Sequence, residues 1–204
     1  MPMQPWASDG RGRGEGFNFL TPIYVQQGAI TNHMNATQAQ GQSQQNQIGL
    51  DSEKLETTAN ALNEVLAAYH VLYQNLRGFH WNVKGHRFFE LHQKYEELYE
   101  QAKEYIDLAA ERILTLGYTP YHTMTDFLSI SGMQEAKNVF QDVEIVKMTV
   151  RDYGQIINKL RRAWETADSN EDVGTTNMLE EFIGSHEKTI WMLNSWLNKF
   201  TTDI

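Results

Sequence analysis

The sequence predicts an all-α protein, a bundle of four long helices with a short extra helix in the connection between the second and the third. Three observations carry this. Apolar residues recur every three or four positions over long runs, no stretch alternates apolar and polar residues as a half-buried strand does, and residues 117–141 separate the second run from the third. The first run begins after Asp51, with Leu55, Ala59, Leu62, Leu66, Tyr69, Leu72 or Tyr73, and Leu76 on one face of about seven turns, and Gly85 breaks it. The second extends from about Arg87 to Leu116 through His92, Tyr95, Leu98 or Tyr99, Ala102, Ile106, Ala109 and Ile113, and Gly117 and Pro120 end it. Within the connection, TDFLSIS at 125–131 reads as one or two helical turns, expected to shield one side of the second helix. The third run covers about 142–167. DSNED at 168–172 is a turn whose Asp and Asn side chains suit the start of the fourth helix, which reaches Phe200. So long a connection implies a crossover rather than a simple up-and-down path.

Composition separates two regions. Residues 1–50 are Gly-rich at RGRGEG and dominated by Gln and Asn at NATQAQGQSQQNQ, too polar to bury a core alone, so they read as a low-complexity tail ahead of a folded domain at 51–204. Within the tail, the apolar piece FNFLTPIYV at 17–25 could dock on the body or a neighbouring chain, His33 and Met34 could catch a soft metal, and Arg11 and Arg13 could touch phosphate. A role in recruiting another protein or locking subunits together is a further expectation for this Gln-rich stretch. The tail's charges cancel, so the formal net charge of −9 belongs to the body, 15 basic against 24 acidic residues. An acidic surface attracts cations and repels polyphosphate, so DNA binding is expected to be weak or absent. With no cysteine there is no disulfide scaffold, thiolate metal site or thiol nucleophile. The N-terminus lacks the pattern of a secretory signal, and no apolar run approaches the ~18 residues of a membrane span, which together suggest a cytoplasmic chain.

Ionisable residues on apolar helix faces point to chemistry, because burying them requires a partner. Asp107 and Glu111 stand four apart in DLAAERI, so their carboxylates project a turn apart and could grip one metal ion or bridge two. His80, near the end of the first helix, and His92, near the start of the second, could add imidazole nitrogens, and two such nitrogens with two carboxylates suit Fe(II) or Zn better than Ca or Mg. His92 and Asp107 are fifteen positions apart on one helix, ~22 Å along its axis, and cannot share an ion within one chain. A single site built from all four must therefore be intersubunit, formed twice about a two-fold axis. The same residues also read as ordinary surface groups, with Glu111 as half of an ion pair with Arg112. His70, His86, His122 and His186 read as structural or surface residues, and Trp81, Trp191 and Trp196 as core or interface packing. No histidine has Glu three positions before it, so the Glu-x-x-His pairs of an intra-bundle di-iron site are absent.

The stretch from 75 to 117, NLRGFHWNVKGHRFFELHQKYEELYEQAKEYIDLAAERILTLG, resembles the signature of the Dps family, the ferritin-like mini-ferritins known as DNA-binding proteins from starved cells. The matching elements are His-Trp at 80 and 81, FFELH at 88–92 and Asp-x-x-Ala-Glu-Arg at 107–112, continued at EAKNV (135–139), DVGTTNMLEEF (172–182) and EKTIWMLNSWL (187–197). The resemblance implies a ferroxidase centre with His80 and His92 from one subunit and Asp107 and Glu111 from its two-fold mate, in a hollow dodecamer. It implies Fe(II) oxidation, preferably by hydrogen peroxide, and storage of ferric mineral inside the shell, as protection against oxidative stress. Zinc is a possible competitor. Glu111 would be the main carboxylate, Asp107 its partner, His80 a direct ligand and His92 a weaker or water-mediated one. Trp81 could intercept stray radicals. Asp172 matches a position lining the family's three-fold pore, while Asn177 stands where an acid is common, which implies slower Fe(II) entry. The rival reading is a DNA-compacting, nucleoid-associated structural protein with an incidental metal site, but the chain has no lysine before Lys54 and no basic C-terminal extension.

Overall fold

The computed structural model describes residues 45–201, all within one compact unit, Gly41–Ile204. The expectations for residues 17–25, for His33 with Met34 and for Arg11 with Arg13 fall outside the described residues. Five helices follow in order: α1 (Ser52–Asn82), α2 (Phe88–Thr115), α3 (Met124–Ile130), α4 (Asp142–Ser169) and α5 (Val173–Thr201), with no strand among the described residues. An Asx turn leads into α1: the Asn46 side-chain oxygen accepts the N–H groups of Ile48 and Leu50. Asp51 then caps the helix by accepting from the Glu53 N–H at 3.1 Å.

Side-chain pairs set the helix directions. Asn75, late in α1, meets Asp152, early in α4, while Asn170 at the end of α4 donates to the Lys54 carbonyl and the Thr57 and Thr58 hydroxyls at the start of α1. These two helices are therefore antiparallel. Arg112 to Thr175, Gln101 to Ser185 and Trp196 to Glu90 make α2 and α5 antiparallel as well. Short turns at 83–87 and 170–172 reverse the chain within each hairpin, so α2 and α4 run the same way and the connection between them travels the length of the bundle. This is the crossover that the sequence implies.

The connection crosses α1 rather than α2, which corrects the expected position of the short helix. Because α2 and α4 run parallel and each packs on α1, the path from the end of one to the start of the other passes over the outer side of α1. Phe127 of α3 is buried and stacks on the His70 ring, centroids 3.7 Å apart. Further along, the buried Asn75 side chain donates to the Gln134 carbonyl and to Asp152, and accepts from the Ala136 N–H. Asn63 accepts from the Tyr121 N–H in the same way. Covered by α2, α3 and α4, α1 is buried on nearly every side from Val65 to Leu72. Among the described residues no helix is long and apolar enough to cross a membrane.

Candidate metal centre

His80 lies in the last turn of α1 and His92 in the second turn of α2, brought together by the short reversal at 83–87. Their rings stack with centroids 3.8 Å apart and planes 20° from parallel. The Phe88 ring also stacks on His92 at 5.0 Å, and Tyr99 meets His80 edge-on at 5.3 Å. The backbone contacts are reciprocal: His80 Nδ1 is 2.7 Å from the His92 carbonyl oxygen, and His92 Nδ1 is 2.8 Å from the His80 carbonyl oxygen. A carbonyl only accepts, so each Nδ1 carries the hydrogen, and Nε2 is the nitrogen left to bind a metal ion. Such an outer hydrogen bond fixes tautomer and ring orientation in metal-binding imidazoles.

Asp107 and Glu111 are exposed a turn apart on α2, and among the described residues neither is in an ion pair. The structure thus brings His80 to His92 and keeps Asp107 near Glu111, but it does not bring the two pairs together: among the described residues of one chain, no three His, Cys, Asp or Glu side chains gather into a metal-holding group. The ordinary reading of Glu111, as partner of Arg112, does not hold. Arg112 turns toward α5, donating from Nη2 to Asp172 and from Nε to the Thr175 hydroxyl at 2.8 Å. A Cβ on Gly174 would sit 2.9 Å from that guanidinium, so the glycine is what admits it.

Asp172, expected on a pore wall, is instead fully buried. Its carboxylate accepts from Arg112, from the Thr175 N–H and from the Thr175 hydroxyl, which makes it the cap of α5. With its oxygens committed to these donors, it offers no free carboxylate to a passing cation. Trp81, beside His80, is 57% exposed, with the Arg77 guanidinium 4.7 Å above its ring. His186 of α5, which the sequence reads only as a structural or surface residue, is buried in the bundle interior with Nε2 2.6 Å from the Tyr69 hydroxyl and, among the described residues, no partner for Nδ1, and burial pulls its pKa down to about 3.

The ferritin-like domain family matches residues 59–202. The DNA protection during starvation protein of Brevibacillus brevis is 38% identical over 142 residues, 70% of this chain and 95% of that protein. The chain belongs to the Dps family. The crystal structure of the Dps protein from Vibrio cholerae O1, described as a member of a broad superfamily of ferritin-like diiron-carboxylate proteins, superposes with a TM-score of 0.73 at 39% identity, covering 75% of this chain and 96% of that one. Dps from Listeria innocua, in crystals soaked with zinc, gives 0.67 at 30% identity, covering 69% and 96%. The all-α ferritin-like fold of this Dps chain agrees with these neighbours.

Proposed function

We propose that this protein is a cytoplasmic ferroxidase and iron-storage mini-ferritin. Its working site would lie between two copies, with His80 and His92 of one chain facing Asp107 and Glu111 of another. The observation that carries the reading is the reciprocal backbone grip on the two histidines, which leaves two fixed Nε2 atoms side by side with no third ligand among the described residues of the same chain. The carboxylates of Asp107 and Glu111, ~22 and ~28 Å further along α2 than His92, are displayed outward, as donors to a neighbouring chain must be. Mixed imidazole and carboxylate donors suit Fe(II), with Zn(II) as a competitor for the same set.

Iron enters as substrate. Two Fe(II) ions held at one site each give up one electron, hydrogen peroxide accepts both, and its O–O bond breaks to two hydroxides without a free hydroxyl radical. Glu111 and Asp107 would balance the charge of the oxidised product, while the imidazole Nε2 atoms hold the incoming ion. The Fe(III) product would pass to a mineral inside a dodecameric shell. Self-association is supported by the large apolar side chains left open on the single chain, among them Phe89 at 83% exposure, Met124 at 70% and Trp191 at 65%. Trp81 would act as a radical trap at the site's edge.

The double variant His80→Ala with Glu111→Ala tests this reading. Peroxide-driven Fe(II) oxidation, followed by stopped-flow absorbance, should fall to the protein-free rate while the particle mass is unchanged. A gel-shift assay at physiological salt should show little retention of DNA. Unchanged oxidation in the variant, together with strong DNA retention, would instead favour a DNA-compacting structural protein.

A further inference from the structure

Four long helices each place one polar ring at a common level of the bundle core: Tyr69 from α1, Tyr105 from α2, Tyr153 from α4 and His186 from α5. The His186 ring lies 5.7 Å from Tyr69, 5.1 Å from Tyr105 and 4.9 Å from Tyr153, centroid to centroid, and Phe182 packs on Tyr105 at 4.3 Å. Tyr69, Tyr153 and His186 are all but inaccessible to solvent. The Tyr69 hydroxyl and His186 Nε2 form a 2.6 Å hydrogen bond, while His186 Nδ1 has no partner among the described residues. Leaving a buried polar atom unsatisfied is a cost that two apolar side chains of similar volume would avoid. The pair is not isolated from the candidate metal centre. Tyr73 stands one turn from Tyr69 on α1, its ring is 6.1 Å from Tyr99, and Tyr99 is 5.3 Å from His80. Two ring-to-ring steps thus lead from the histidine pair to Tyr73, and one helical turn separates Tyr73 from Tyr69 in the middle of the bundle.

We infer that Tyr69 and His186 form a buried one-electron store, linked by Tyr73 and Tyr99 to the site proposed above, that completes the reduction of peroxide when only a single Fe(II) is bound. The inference rests on that proposal for its oxidant, a hydroxyl radical made from peroxide. One Fe(II) gives one electron to hydrogen peroxide and becomes Fe(III), and the O–O bond breaks to hydroxide and a hydroxyl radical. The radical takes an electron from Tyr69 by way of Tyr99 and Tyr73 and becomes a second hydroxide. The phenolic proton of Tyr69 moves to Nε2 of His186, leaving a neutral tyrosyl radical beside an imidazolium. A later Fe(II) returns one electron to Tyr69 and is itself oxidised, and the proton goes back from His186 to the phenolate oxygen. The sum is one peroxide and two Fe(II) converted to two hydroxides and two Fe(III), the same as at a doubly occupied site. Burial keeps the imidazole neutral and ready to accept the proton. An oxidised phenol is acidic enough to protonate even so weak a base, and the charge created in an apolar core favours return of the proton once the electron is back.

Two measurements on the full-length protein separate this from failure of the ferroxidase reading. In iron-free protein, a photogenerated one-electron oxidant should produce a persistent tyrosyl radical, seen by electron paramagnetic resonance. Tyr69→Phe should lose that signal, and His186→Phe should shorten its life by removing the proton acceptor. In iron-loaded protein at one Fe(II) per site, spin trapping should detect more hydroxyl radical from Tyr69→Phe than from the unaltered protein. Oxidation at two Fe(II) per site should be the same in both. A persistent signal that survives Tyr69→Phe unchanged, or no such signal in the unaltered protein, overturns the inference whether or not the protein oxidises iron. Equal radical leakage from Tyr69→Phe and the unaltered protein also overturns it.

Discussion

A neutral imidazole held inside an apolar bundle makes stability depend on pH. Burial lowers the folded pKa of His186 to about 3, below the ordinary imidazole value of 6.5, so between those values the unfolded chain binds a proton that the folded chain refuses. The stability that His186 contributes is complete above 6.5 and is lost as the pH falls toward the folded value, at up to ~1.4 kcal/mol per pH unit. His70, also lowered by burial, acts in the same direction but is only half enclosed. Asp152 acts in the opposite direction: burial raises its pKa, the Arg151 and Asn75 contacts offset part of that rise, and its contribution grows as the pH drops. Urea midpoints taken across this range should therefore fall more steeply with acidification for the unaltered protein than for His186→Phe. Parallel slopes would show that His186 is not held neutral. The position of His186 was legible in the sequence, since Leu179, Phe182, His186, Thr189, Leu193 and Leu197 form one buried stripe along α5. Its hydrogen bond to Tyr69, 117 positions away, was not, because helical periodicity says which face is buried and nothing about what it meets.

At the level of elements, the helix ends and the connection carry the specific information. The α4–α5 turn closes with the Asp172 N–H on the Ala167 carbonyl and the Glu171 N–H on the Asp168 carbonyl, which puts Glu171 at φ 59°, a position glycine normally takes. Glu171→Gly should raise stability by ~0.5–1 kcal/mol in denaturant unfolding, since the left-handed conformation costs a residue with a Cβ about 1–2 kcal/mol and the extra freedom of glycine in the unfolded chain takes back about 0.4–1 kcal/mol. Asn75→Ala should lower it by about 2–3 kcal/mol, because the Ala136 N–H, the Gln134 carbonyl and Asp152 all lose a buried partner at once. The four long helices were legible because each buries a stripe with helical period. The side of the bundle on which the connection runs was not, for TDFLSIS has a single buried anchor, Phe127, and nothing local tells whether it docks on α1 or α2. The capping role of DSNED was legible from its residue types. That Asp172 would be sealed beneath Arg112 rather than turned to a pore was not, because Arg112 lies 60 positions earlier in the chain.

For the whole molecule, an acidic body and open apolar side chains on the single chain go together with assembly and attraction of cations. Light scattering should give a particle of about twelve times 23.6 kDa. A mass equal to one chain would leave His80 and His92 without their proposed carboxylates. The histidine pair bears on how such a particle forms. Each ring is oriented by the other's main chain, so half of the binding surface is finished as soon as α1 and α2 have folded into their hairpin. In the proposed intersubunit site two protomers would then meet as rigid, prepared halves, with little side-chain freedom left to surrender at the encounter. Assembly and metal readiness would become a single event, and a lone protomer, whose nitrogen donors stand far along α2 from its own carboxylates, would stay a poor catalyst of stray iron chemistry until it finds its mate.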